Sequence, residues 1–241
     1  MGTFRSYTAF FGGERVVVEG VKIVNAAGPG KIAGQALAAY VAAEAAVFSN
    51  VHFIGCQDTL FCAPLPEKEN LAGGFRGPRE LAPRRANKHY YIDCLIQGDV
   101  DFIFGGADAV FERCVIVSND RGAKVNGYVT APSGNRDGLG LVFKDCKFVS
   151  DCEDGTVMLG RPWRPHGKTA LINCELGAHI HPLGWNKWNL PEDDIQCVFA
   201  EYGCFGAGAD RSGREPWSIG LSEKEVMELE MRIKKHKECV V

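Results

Sequence analysis

The sequence predicts an all-β protein: a right-handed parallel β-helix, a single-stranded solenoid over residues 1–241 with a C-terminal capping helix. Three observations predict it. The first is a hexad of apolar residue, two mostly polar or small residues, Val or Cys, any residue, and apolar residue. It appears as Val18-Glu-Gly-Val-Lys-Ile23, Phe48-Ser-Asn-Val-His-Phe53, Phe111-Glu-Arg-Cys-Val-Ile116, Phe143-Lys-Asp-Cys-Lys-Phe148 and Leu171-Ile-Asn-Cys-Glu-Leu176, and as Tyr91-Ile-Asp-Cys-Leu-Ile96 with Ile92 as the exception. The second is the composition between hexads, rich in Gly, Pro and Asn, which suits turns and fits helical repeats badly. The third is the recurrence of cysteine at 94, 114, 146 and 174, one per repeat, as an internal stack of small side chains would require.

Each hexad alternates like a strand with one face inward. The hexads start 20 to 43 residues apart, so a constant short strand is joined by insertions of varying length, which is the signature of a solenoid. Successive coils would then hydrogen-bond at roughly 4.8 Å spacing. A β-sandwich is the structural alternative, but it does not call for one shared hexad per unit. The longest interval contains residues 62–88, where Pro64, Pro66, Pro78, Pro83 and Gly73-Gly74 mark an inserted loop. Arg76, Arg79, Arg84, Arg85 and Lys88 make that loop basic, either as a contact for a polyanion or as a solvated surface. At the C-terminus Ser222-Glu-Lys-Glu225 is a capping box. Val226, Leu229 and Ile233 follow one helical face and Lys234, Lys235 and Lys237 complement the dipole, as expected for a helix that covers the last coil.

The net charge of −3, with both signs interspersed, argues against a nucleic-acid partner, and no stretch approaches the ~20 apolar residues of a membrane span. None of the ten cysteines forms a close metal-type pair, and the six scattered histidines suggest no chemistry. Met1-Gly-Thr-Phe-Arg-Ser-Tyr7 lacks the features of a secretory signal, so the chain as written has no visible export route.

Two aspartates stand out, in Gln57-Asp58-Thr59 and in Asp99-Val-Asp-Phe-Ile-Phe-Gly105. Asp58 lies 10 residues after Phe48, and Asp101 lies 10 residues after Tyr91. Equal phase in consecutive coils places their Cα atoms about one strand spacing apart, near 5 Å. Alone, Asp58 reads as a turn residue. Asp101 is flanked by Val100, Phe102, Ile103 and Phe104, and a carboxylate there needs a partner or a raised pKa. Arg161, in Leu159-Gly-Arg-Pro-Trp163, is the best candidate partner. An ionised Asp101 beside Arg161 would be a nucleophile, and Asp58, repelled by that charge, would keep its proton as a general acid.

Gly34-Gln-Ala-Leu-Ala38, Gly55-Cys-Gln-Asp-Thr-Leu60, Gly98-Asp-Val-Asp-Phe-Ile-Phe-Gly105 and Leu159-Gly-Arg-Pro-Trp163 occur in the order found in pectin methylesterases (pectinesterases). Together they resemble that family from about Thr3 to Leu221, with Ala131-Pro-Ser133 closer to its bacterial members. The resemblance implies that Asp101 attacks the methyl ester carbonyl of a galacturonate unit to give an acyl-enzyme. It implies that the Gln35 and Gln57 amides stabilise the oxyanion, that Asp58 serves as general acid and then base, and that Arg161 orients Asp101. Trp163, Phe104, Thr130 and Trp188 would contact the sugar, and no metal or cofactor is required. The implied partner is pectin, a homogalacturonan polysaccharide or oligosaccharide. Relatives usually begin with a further strand-and-helix portion before the region matching Thr3. The expectation is therefore a chain lacking that cap, secreted if the missing portion carried a signal. Two rivals stay open: a non-catalytic remnant that binds polygalacturonate, and another β-helical pectin lyase or glycosidase.

Overall fold

In the computed structural model, which describes residues 2–191 and 195–241, the six hexads stack in register. Their first residues pair in succession, Val18 with Phe48, Tyr91, Phe111, Phe143 and Leu171. Their last residues do the same, Ile23 with Phe53, Ile96, Ile116, Phe148 and Leu176. The result is a parallel β-helix whose described strands form sheets of six, eight and six members. The first sheet contains Ala39–Val41, Leu60–Cys62, Val100–Gly105, Gly127–Pro132 and Val157–Gly160; the second and third contain the two halves of each hexad.

The polar positions of the hexad turn the corner between second and third sheets. The third residue of every repeat has a left-handed backbone: Gly20, Asn50, Asp93, Arg113, Asp145 and Asn173 have φ between 51° and 66°. Gly, Asn and Asp tolerate that conformation best, hence their recurrence. Arg113 is the exception, and a bidentate ion pair with Asp93 of the preceding coil accompanies it. The cysteine that follows serves the same corner. Cys94 Sγ reaches the Phe48 and Ile92 carbonyls at 3.4 and 3.3 Å, and Cys114, Cys146 and Cys174 repeat the pattern. A thiol is small enough for the corner and still a weak donor. Cys204 continues the ladder one coil further, and all ten cysteines are free thiols.

Inside the solenoid, Phe48, Tyr91, Phe111 and Phe143 form a continuous stack with centroids 4.6–5.1 Å apart and rings within 7° of parallel. Phe111 is fully buried between two of these rings. Phe111→Ala is therefore expected to cost about 3–5 kcal/mol, read as a fall in urea midpoint at constant slope. Leu171 takes the position at the next coil, and Glu201, which pairs with Leu171, at the one after. Its carboxylate accepts from Arg214 Nε at 3.0 Å and Nη2 at 3.2 Å, and from Trp185 Nε1 at 3.1 Å. Trp185, stacked on Phe199, is thus a core residue.

The C-terminal helix Glu223–Val240 has the expected capping box, but it does not cover the last coil. It lies along the outer face of the second sheet. Val226, Ile233 and Val240 pack with Tyr90, Val110, Val142, Ala170 and Ala200, one residue from each of five coils. Lys144 meets Glu230 at 2.7 Å, His236 Nε2 contacts the His89 carbonyl at 2.9 Å, and Arg15 Nη2 donates to the Val241 carbonyl. Eighteen residues at 1.5 Å rise give about 27 Å, the length of five to six coil spacings. The apolar stripe indicated a buried face without indicating which surface it buries.

Candidate active site

The site lies on the outer face of the first sheet. Tyr40, Phe61, Phe104 and Ala131 are in register there, one above another. Phe4 from the N-terminal turn and Phe75 from the inserted loop close over them, forming an aromatic cluster that Trp163 joins. Residues 63–87 contain no strand or helix among the described residues, yet Leu65 and Phe75 are buried. Arg164 Nη2 fastens the loop by donating to the Lys68 carbonyl at 2.8 Å. Arg84 donates to the carbonyls of Pro66, Arg79, Glu80 and Ala82, so this cation staples its own loop and its donors are not held out toward a polymer.

The two aspartates come level as their phase requires. Leu60 pairs with Ile103, and each aspartate lies two residues before its partner in that register. Both have left-handed backbones, φ 64° at Asp58 and 50° at Asp101. At Asp101 the cause is a bulge: pairing with the next coil runs from Val100 with Tyr128 to Ile103 with Thr130, so two residues oppose one. A bulge breaks the alternation of the strand and re-aims a side chain, which lets Asp101 face the cleft from an apolar run. Gly105 ends the run where a Cβ would lie 2.0 Å from the Cys62 carbonyl oxygen.

Arg161 reaches Asp101 from two coils away, after the strand Val157–Gly160. Its Nε donates to Asp101 Oδ1 at 2.9 Å and its Nη2 to Oδ2 at 2.7 Å. The guanidinium carbon lies over the Tyr128 ring of the intervening coil, 4.0 Å from its centroid, and over the Trp188 ring at 3.7 Å. Asp58 has a weaker, neutral partner in the Gln57 side chain, and its Oδ1 is buried without a hydrogen bond. Burial, then the charge of Asp101, holds the Asp58 carboxyl well above the usual carboxylate range, against a smaller opposing pull from Arg161. Burial also raises Asp101, but hydrogen bonds and charge from Arg161 draw it back. The arginine therefore separates two carboxyls that burial alone would raise together. Asp101 loses its proton first.

These groups open into a cleft of about 480 Å³ whose walls include Gln35, Asp58, Asp101, Phe104, Trp163 and Trp188. The pectinesterase family model matches residues 82–232, more than half of the sequence. The chain belongs to the pectinesterase family. Pectinesterase 31 of Arabidopsis thaliana is 34% identical over 226 residues, spanning 93% of this chain and 62% of that protein. The chain thus spans about three fifths of the length of that relative. Pectin methylesterase from carrot shares the fold, with a TM-score of 0.76 at 24% identity over 94% of this chain and 67% of that one. A pectin methylesterase solved in complex with hexasaccharide VII aligns with a TM-score of 0.70 at 25% identity, covering 92% of this chain and 70% of that one.

Within this pectinesterase chain the sequence-derived site residues divide. Asp58, Asp101, Arg161, Gln35, Phe104, Trp163 and Trp188 gather at the cleft. Gln35 is exposed, and its Oε1 accepts from the Thr3 hydroxyl, which leaves the amide nitrogen without a partner among the described residues. Gln57 lies beside the cleft: its Oε1 packs on the Gly30 turn, 2.4 Å from where a Cβ at that residue would be, and its side chain hydrogen-bonds the Asp58 carboxyl. Thr130 does not face the cleft at all. It is buried, and its hydroxyl donates to the Leu159 carbonyl at 2.9 Å and meets Thr169 Oγ1 at 3.2 Å, so it ties sheets together instead of touching sugar. Tyr128 touches Arg161 and Thr3 touches Gln35; in the sequence Tyr128-Val-Thr-Ala131 reads equally well as a plain strand, because each contact is with a residue far along the chain.

Proposed function

We propose that this chain is a carboxylic ester hydrolase that demethylesterifies pectin, yielding pectate and methanol through an aspartyl acyl-enzyme. The observation that carries this reading is the asymmetric aspartate pair: Asp101 gripped by Arg161 through two hydrogen bonds, and Asp58 buried with a free oxygen. One Asp101 oxygen attacks the ester carbonyl carbon, and the carbonyl oxygen becomes an oxyanion facing the Gln35 amide. Collapse breaks the bond to the methoxy oxygen, which takes the Asp58 proton and leaves as methanol. The Asp58 carboxylate then takes a proton from water, the hydroxide attacks the acyl carbon, and Asp101 returns as a carboxylate. Trp163, Trp188 and Phe104 give the sugar rings flat apolar surface. An oligosaccharide-bound relative of the same fold supports a polymeric or oligomeric substrate.

The test is incubation with highly methylated pectin while methanol, unsaturated products and reducing ends are followed together. Methanol alone is the expected result. Unsaturation or chain cleavage would overturn the esterase reading, and binding without any product would favour the remnant. The rate should be bell-shaped in pH, because Asp101 must be ionised and Asp58 protonated, and the pair titrates as a coupled unit. Gln35→Ala should lower kcat by roughly 10²–10³-fold, as loss of an oxyanion donor does, with KM little changed.

A further inference from the structure

We propose that Tyr128 and Trp188 are positioning residues that clamp the Arg161 guanidinium in the plane from which both its donors reach Asp101. The arginine spans the intervening coil, so its stem alone does not fix its plane. The guanidinium carbon lies over the Tyr128 ring at 4.0 Å and over the Trp188 ring at 3.7 Å, while Nε and Nη2 donate to the carboxylate. Guanidinium stacks on aromatic faces without giving up its in-plane hydrogen bonds, which lysine cannot do.

Trp188 is held there at a cost. Its φ is 57°, a left-handed backbone unusual for a bulky side chain, and its N–H donates to Asn186 Oδ1 at 2.7 Å. Strain of this kind persists where the surroundings over-determine it, and here the turn delivers a 37% exposed indole onto a cation. The charged groups around Asp101 come from several coils: Arg161, Asp58 on the neighbouring coil, and Tyr128, whose hydroxyl bears on Arg161. Releasing the guanidinium would remove the cation that opposes burial at Asp101.

The experiment follows the Asp101 carboxyl by ¹³C NMR as pH is varied, with Asp101→Asn identifying its signal. Trp188→Gly removes the ring while suiting the positive φ, and Tyr128→Ala removes the other ring. In both, the Asp101 titration midpoint should move up by about one pH unit, the equivalent of losing one partly buried cation–π contact. Trp188→Phe and Tyr128→Phe should restore it. If the proposed esterase activity holds, on which only this second readout rests, the acid limb of kcat/KM moves up with the midpoint. A midpoint unmoved in Trp188→Gly and Tyr128→Ala would overturn the clamp. So would a raised KM with an unmoved acid limb, the result for rings that touch only sugar. Absence of methanol from the unmodified chain would overturn the esterase reading and leave the NMR titration to decide the clamp; should Trp188→Gly fail to fold, the Tyr128 pair decides it.

Discussion

Asp101→Asn should lower kcat for methanol release by roughly 10⁴-fold or more while leaving pectin affinity within a few-fold of the unmodified chain. The substitution is nearly isosteric, and asparagine tolerates the left-handed backbone that Asp101 occupies at φ 50°. The bulge therefore survives, and so do the aromatic walls that hold sugar. What disappears is the carboxylate aligned by Arg161. An amide oxygen is a poor nucleophile and cannot form the anhydride that the mechanism requires. Methanol release at a near-normal rate would remove Asp101 from the nucleophile role. Weakened binding with unchanged kcat would do the same.

Asp58→Asn should separate activity from stability. Loss of the acid removes the proton delivered to methanol, worth about 10²–10⁴-fold in kcat. Stability moves the other way. In the unfolded chain the group ionises near the ordinary 3.8, whereas burial and the Asp101 charge hold the proton in the folded state. The folded state thus binds more protons above pH 3.8, and the native chain loses stability as pH rises toward the folded pKa. Asparagine has no proton to lose and, like aspartate, accepts the φ of 64°. Its melting temperature should exceed that of the native chain at pH 7, by about 2–4 °C for each kcal/mol relieved, with the gap closing near pH 3.5. A gap that does not depend on pH would mean that Asp58 is not a proton-holding acid.

How far the sequence revealed this site depends on which property each residue uses. The hexads fixed coil register directly, because one residue of slip would turn Phe48, Tyr91 and Phe111 out of the core. Register in turn placed Asp58 beside Asp101 by counting alone. Arg161 was legible because a carboxylate in an apolar run demands a cation. Thr130 was misplaced because its strand neighbour is displaced by the bulge, and a bulge leaves no mark that counting can follow. Gln57 keeps its sequence neighbour in space, its side chain hydrogen-bonded to Asp58 while its Oε1 rests on the Gly30 turn. Tyr128 looks like any strand tyrosine until Arg161 is laid across it. The C-terminal helix carried its boundary in Ser222 and Glu225 but not its destination, since an apolar stripe fits the end of a solenoid as well as its side.

That destination changes how the molecule should come apart. In a stack where each coil touches only its neighbours, the ends can fray while the middle persists, and unfolding spreads as a series of small steps. The helix Glu223–Val240 adds interactions of a different range, joining the coil of Ala200 to that of Tyr90 and reaching Arg15 beyond it. A coil cannot leave the stack without also surrendering its share of that common contact. The helix thus works as a splint, lending an array of locally bonded turns the all-or-none cooperativity of a globular core, and the coils that carry Asp58, Asp101 and Arg161 lie within its span.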